Sequence, residues 1–348
     1  MTIMTSCVQR AVWCGVDTHR DEHVAAVVDS VGRVLGTRAF AATARGYFEL
    51  RMWLLEHGSV VLVGIEGTGA YGAGLQRDLR EHGIDTREID RPDRKRRRSQ
   101  GKSDPLDAIS AATTTLAGER VVQPKRRDGR VEALRNLRIA RRSAVDQRAC
   151  AQQQMRTIIV TAPDELRQRL RALTTTQLVQ QCAASRPKIA RVAEPETAAQ
   201  IALRALARRH QALSAEVTEL DTLIEQLVRE TNPELLEQFG VGPDTASQLL
   251  VSAGENPERL ASEAAFAMLC GVSPIPASSG QRNRHRLNRG GDRQANRAIH
   301  TIVLVRKRYD ERTQRYIERR TREGLSPREI TRCLKRYVAR DIYRLLTR

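Results

Sequence analysis

Aromatic residues are scarce in this 348-residue chain, where Phe, Trp and Tyr together make up 3%. Stacking of bases on rings is therefore not expected to dominate any nucleic-acid contact, and neutralisation of a phosphate backbone has to carry it. The six cysteines (Cys7, Cys14, Cys150, Cys182, Cys270 and Cys333) form no C-x-x-C pair and have no histidine at zinc-ligand spacing. That argues against a zinc finger or a disulfide framework and fits a reducing cytoplasm. No apolar run reaches the length of a membrane span, and no early stretch joins a charged region to a long apolar one. A soluble, unexported, cytoplasmic protein with no membrane partner is expected. Negative charge is also in short supply: 41 Asp and Glu face 59 Lys and Arg, a net +18. This excess points to a polyanionic partner, and its clustering makes that partner nucleic acid. The length suffices for two or three domains with real cores.

Against this background four carboxylates stand out. Val12-Trp13-Cys14-Gly15-Val16 runs into Asp17, and Val60-Val61-Leu62-Val63-Gly64-Ile65 runs into Glu66. A ribonuclease-H-like fold carries its first acid on its first strand and its second on the fourth. Asp104 and Asp107 are three residues apart, which on a helix turns both to one face. Converging hard oxygens hold Mg²⁺, and paired Mg²⁺ ions activate the attacking oxygen and stabilise the leaving oxygen of a phosphodiester. Each acid also has a local reading. In Ser103-Asp104-Pro105-Leu106-Asp107 the Pro fits N1, an Asp fits the cap and another acid suits the first-turn dipole. Asp17-Thr18-His19 reads equally as a strand-end turn, and Glu66-Gly67-Thr68-Gly69 as a strand-to-helix loop.

Residues 11 to 120 read as α/β. His23 to Asp29 and Val34 to Phe40 flank Ser30-Val31-Gly32-Arg33, a hairpin turn. Amphipathic segments from Tyr47 to Glu56 and from Tyr71 to His82 each lead into a strand-like stretch, which implies crossovers and a mixed sheet. The run Arg94-Lys95-Arg96-Arg97-Arg98, followed by Lys102, lies in sequence beside the acids and is placed to hold a phosphate backbone. Arg130 to Val160 lacks Gly and Pro and suits a long helix with a basic side that includes Arg138, Arg141 and Arg142. Pro163, Pro187 and Pro195 break the next stretch into short helices and loops. Leu206, Leu213, Leu220 and Leu227 recur every seven residues, and Leu203, His210, Val217 and Ile224 do so in the companion register. This predicts a coiled coil in which His210 is a tolerated polar core residue, with either the Arg130 to Val160 helix or another protomer as partner.

After Pro233, Leu235 to Ala246 carries Gly240-Val241-Gly242, the form of a helix-hairpin-helix or of a simple αα corner. A Pro- and Ser-rich loop, Gly271 to Gly280, then leads into Arg282, Arg284, Arg286, Arg289 and Arg293. Serines in such loops are commonly turn residues. A hydroxyl beside dense guanidinium charge is also what a nucleophile attacking a phosphodiester needs.

These stretches resemble the DEDD transposases of bacterial insertion-sequence family one-hundred-ten, relatives of the pilin-gene invertases. The likeness rests on Gly15 to His19, Gly64 to Gly69, Arg91 to Arg94, Gly101 to Ala108, Ala277 to Gly280 and Leu287 to Asn296, in the expected order. It implies a RuvC-like α/β domain over 11–125, a helical coiled-coil region over 129–232 and a mostly α transposase domain over 233–348. The metal ligands and catalytic acids would be Asp17, Glu66, Asp104 and Asp107, and the nucleophile Ser278, with Ser279 adjacent. It further implies Mg²⁺, a bridge RNA that pairs with donor and target double-stranded DNA, and a homo-oligomer, a dimer or dimer of dimers, with composite active sites. Delegating sequence choice to base pairing suits a chain with no evident base-reading helix. The competing readings are a RuvC-type structure-selective nuclease that uses water, which leaves Ser278 idle, and a non-catalytic nucleic-acid-binding scaffold.

Overall fold

A computed structural model describes residues 10–89, 103–118, 121–277 and 285–347, and the chain forms two compact units that divide between Arg127 and Asp128. The first is built on a mixed sheet. Strands β1 (Ala11–Thr18), β2 (Glu22–Asp29), β3 (Val34–Ala41), β4 (Ser59–Glu66), β5 (Thr86–Ile89) and β6 (Val121–Val122) lie in the order β3-β2-β1-β4-β5-β6. The pairs β1–β2 and β2–β3 are antiparallel, whereas β4 runs parallel to both β1 and β5. Parallel pairing needs crossovers, supplied by α1 (Ala44–His57) and α2 (Ala73–Glu81). This mixed α/β arrangement is compatible with the RuvC-like fold that the resemblance implies.

Side-chain alternation divides β1 between two cores. Val12, Cys14 and Val16 pack with Leu50, Leu54, Leu75 and Leu79 under α1 and α2. Trp13 faces the other way, with Ala108 and Ala112 of α3 (Asp104–Ala117). Gly15 follows on that second face, and a Cβ there would sit 1.9 Å from the Ala112 nitrogen. Its register partner on β4, Gly64, has no more room, since a Cβ would lie 1.9 Å from Thr115 Oγ1. Two paired glycines thus let α3 lie directly on the sheet. The next residues on that face, two positions along each strand, are Asp17 and Glu66.

The second unit is helical. In it α4 (Arg130–Thr161) is followed by α5 (Asp164–Arg171), α6 (Thr175–Ala184) and α7 (Pro195–Thr231). The α4 and α7 helices run antiparallel: Arg130 pairs with Glu230 and Arg141 with Asp221, while Met155 and Ile159 pack with Leu203 and Ala207. On α7 the register of Leu203, Val217 and Ile224 is buried, whereas Leu206, Leu213, Leu220 and Leu227 are half-buried. The apolar stripe is therefore covered at least in part by the chain's own α4. Its far end joins a larger core with α8 (Glu234–Glu237), α9 (Pro243–Ala253), α10 (Glu263–Leu269), α11 (Arg293–Tyr309), α12 (Glu311–Arg322) and α13 (Pro327–Leu346). Strands β7 (Ile275–Pro276) and β8 (His285–Arg286) pair as a short ladder.

Candidate active site

The site is assembled at the ends of β1 and β4. Thr18, the last residue of β1, donates its hydroxyl to the Glu66 carbonyl at 2.7 Å, which ties the two strand ends together next to their acids. Gly67, with φ of +73°, then turns the chain away toward α2. Because α3 lies flat on Gly15 and Gly64, its N-terminal turn comes to the same corner. Ser103 is its cap residue, in extended backbone, and Asp104 opens the helix with Pro105 behind it. The expected capping by an Asp side chain is thus not the arrangement; both Asp104 and Asp107 stand in the first turn, where the helix dipole favours negative charge.

The four sequence-derived acids differ in setting. Asp17 and Asp107 are buried, at 7% and 6% exposure, Glu66 is half-buried, and the Asp104 side chain is 50% exposed. Burial lifts the Asp17 carboxyl above the usual carboxylate range; Asp107 and Asp104 push the same way, while His19 opposes them. Ligand atoms of Asp17, Asp104 and His19 all lie within 4.8 Å of one another. Asp107 is near enough to act on Asp17 electrostatically but stands outside that tight group, as does Glu66. This donor set suits a divalent cation, because crowded carboxylates in a partly dry corner gain most from a shared positive charge. In the sequence His19 belongs to the Asp17-Thr18-His19 strand end and to the stretch that carries the family resemblance, with no role of its own at the site. The signal that could have singled it out is the spacing Asp17-Thr18-His19, which returns to the same face just past the strand.

The basic residues divide into three groups. Arg94, Lys95, Arg96, Arg97, Arg98, Lys102, Arg282 and Arg284, with Ser278 and Ser279, fall outside the described residues. Arg286, Arg289 and Arg293 are exposed. Arg138 and Arg141 are engaged within their own unit: Arg138 donates to the Asp244 carbonyl at 2.6 Å, to Ser247 Oγ at 2.6 Å and to Gln248 Oε1 at 2.9 Å, and Arg141 pairs with Asp221 and Asp244. They clamp α4 to α7 and α9, whereas Arg142, which pairs with Asp146, has a side chain 58% exposed beside Arg297 on a cleft of about 270 Å³.

In the Gly240-Val241-Gly242 turn the amide of Val241 donates to the Gln238 carbonyl and that of Gly242 to Thr245 Oγ1. Two amides of the turn, those of Val241 and Gly242, are thus bonded internally, and α8 is a single turn. Sequence reasoning gave no role to Asp292 and Asn296. Asp292 caps α11 and accepts from Ser252 Oγ at 2.6 Å; Asn296 Nδ2 donates to the carbonyls of Cys270 and Gly271, and its Oδ1 accepts from Lys335. Together they anchor both ends of the segment from Gly271 to Gly291. Gly291 and Gly271 both have positive φ there, and a Cβ on Gly291 would sit 2.7 Å from the Gly271 nitrogen.

Acids gathered at the strand ends of a mixed α/β sheet, followed in the chain by a basic helical unit, are compatible with an enzyme that acts on a polynucleotide. Residues 14–164 match the DEDD transposases of the IS110 type, and residues 232–318 match the transposases of the IS116/IS110/IS902 family. The chain belongs to this family: it is a transposase, a DNA-transferring enzyme of an insertion sequence. No curated protein matches it. Among the described residues no helix is long and apolar enough to cross a membrane.

Proposed function

We propose that this transposase is a Mg²⁺-dependent recombinase that cuts and rejoins donor and target double-stranded DNA through a serine nucleophile, guided by a bridge RNA. The observation that supports this reading most is the convergence of Asp17, Asp104 and Asp107 from β1 and α3, elements far apart in sequence, onto the face that also carries Glu66. Asp17, Glu66, Asp104 and Asp107 would hold Mg²⁺, which when bound supplies charge neutralisation at the reacting phosphate.

The remaining roles fall to the chain's own groups. Ser278 Oγ bonds to phosphorus as one P–O ester bond of the strand breaks, and the proton the serine gives up ends on the departing strand oxygen as a free hydroxyl. The resulting phosphoserine conserves the ester's energy, so a strand-end hydroxyl can later attack it, reform the phosphodiester and return the proton to the serine. Arg282, Arg284, Arg286, Arg289 and Arg293, close by in sequence, stabilise the charge of the crowded phosphorus transition state. Arg94 to Arg98 and Lys102 hold phosphate backbone beside the acids, and Arg142 does so on the helical unit. A homo-oligomer, a dimer or dimer of dimers, would bring the acids of one subunit to the serine of another. The half-buried Leu206, Leu213 and Leu220 offer an apolar line for that assembly.

The test is a protein–DNA adduct that survives denaturation. Ser278→Ala abolishes it, and Ser279→Ala keeps at least part. The reverse result moves the nucleophile by one residue, and strand cleavage by the wild type with no adduct replaces the reading with a hydrolytic nuclease.

A further inference from the structure

His19 stands just past the end of β1, where its backbone amide donates to the Glu22 carbonyl at 3.1 Å and closes the turn into β2. That closure sets the imidazole between two acids that come from different elements. Its Nε2 lies 3.3 Å from Asp17 Oδ2 and 3.5 Å from Asp104 Oδ1, and the ring is about half exposed, at 46%. Both separations are long for a charge-assisted hydrogen bond, which is strongest near 2.7–2.9 Å. They are close to the spacing of two donors on one ion: ligands at about 2.1 Å from an octahedral cation lie roughly 3 Å apart when adjacent. All three donor atoms lie within 4.8 Å of one another, a spread that one cation can span.

We infer that His19 is a nitrogen ligand of the metal held by Asp17 and Asp104, and that it lets this Mg²⁺ site hold a first-row transition ion such as Mn²⁺ more tightly, relative to Mg²⁺, than the carboxylates alone would. The inference rests on the metal-dependent reading of the acids proposed above. Its chemical basis is the difference between the ions. Mg²⁺ takes oxygen donors and keeps much of its water, whereas imidazole suits transition ions, so one nitrogen in an otherwise carboxylate set changes selectivity more than affinity. A site made of Asp17, Glu66, Asp104 and Asp107 alone would have no such bias.

The experiment uses the full-length protein with Mn²⁺ as the probe, read by pulsed electron paramagnetic resonance. Directly bound imidazole gives a ¹⁴N coupling on the Mn²⁺ signal, which changes to the ¹⁵N pattern when the wild type is made with ¹⁵N-histidine and is lost in His19→Gln. In competition, Mg²⁺ displaces Mn²⁺ from His19→Gln at concentrations at least about tenfold lower than from the wild type, the lower end of what supporting residues of metal sites contribute. Labelled wild type makes the first readout independent of whether the variant folds. Bound Mn²⁺ with no nitrogen coupling, or an unchanged Mg²⁺-to-Mn²⁺ ratio in a folded His19→Gln, overturns the inference and leaves the metal site standing. Failure of wild type to bind Mn²⁺, or binding by Asp17→Asn as tight as by wild type, removes the metal reading itself and the inference with it.

Discussion

Replacing Gly15 with alanine adds one methyl group at the place where α3 meets the sheet. That carbon would sit 1.9 Å from the Ala112 nitrogen, 2.4 Å from the Ala111 carbonyl carbon and 2.6 Å from the Ala108 oxygen. All three are backbone atoms of α3, so no rotamer change relieves the overlap. Reaching an ordinary contact of about 3.5 Å means lifting the helix or bowing the strand by roughly 1.6 Å. Overpacking of this kind costs about 3 kcal/mol, the upper end of its usual range. In a unit of this size that lowers the melting temperature by roughly 10–20 °C. The same displacement carries Asp104 and Asp107 away from Asp17, and misplacing catalytic groups by ~1 Å costs about 100-fold in rate. Gly64→Ala is the control, because its Cβ would meet side-chain atoms, Thr115 Oγ1 at 1.9 Å and Ile89 Cδ1 at 2.3 Å. Adding Thr115→Ala together with Ile89→Val to Gly64→Ala should recover part of the stability, whereas no side-chain trimming should rescue Gly15→Ala. Thermal denaturation by circular dichroism and metal-dependent cleavage of labelled DNA measure the two effects. A Gly15→Ala protein with wild-type melting and wild-type cleavage would refute the close approach as the device that assembles the site.

Single changes Asp17→Asn, Glu66→Gln, Asp104→Asn and Asp107→Asn should each remove strand exchange while leaving a folded protein, and EDTA should do the same reversibly; full activity in EDTA would sink the metal role. Asp310 caps α12 by accepting from the Thr313 amide and hydroxyl, and those bonds hold its carboxyl below the usual carboxylate range. A depressed folded pKa means that the stabilisation is present above the ordinary carboxylate value and lost as pH falls through the folded one. Asp310→Ala should therefore destabilise the protein by about 1 kcal/mol at neutral pH, with the gap in melting temperature closing in acid; a gap that widens in acid contradicts the assignment. Purified protein should retain RNA from the element's noncoding region with an affinity that falls steeply with salt, as phosphate neutralisation requires. Equal affinity for an unrelated RNA of the same length would rule out guide recognition.

Local pattern alone made much of this protein legible. Continuous apolar runs ending in Asp17 and Glu66 located two strand ends, and those strands lie side by side with Val16 opposite Ile65. The i, i+3 spacing of Asp104 and Asp107 put both in one helical turn, and the charge balance pointed to nucleic acid. Such features depend on the backbone's periods of 2 and 3.6 and on summed charge, which any stretch of chain carries with it.

What only packing decided concerns which distant groups meet. His19 looked like a turn residue until the α3 N-terminus arrived opposite it, and that arrival depends on Gly15 and Gly64 lying in register under the helix. Arg138 and Arg141 formed the basic side of a predicted helix, but Asp221 and Asp244, some eighty and one hundred residues further along, use them as clamps. The heptads of α7 left its partner open, and the antiparallel fit of α4 covers one register while leaving the Leu213 line half-buried. A spacing fixes the direction in which a side chain leaves its own element. What it meets depends on close-packing against elements that the same spacing says nothing about, since those contacts are selected by shape and burial across the whole unit.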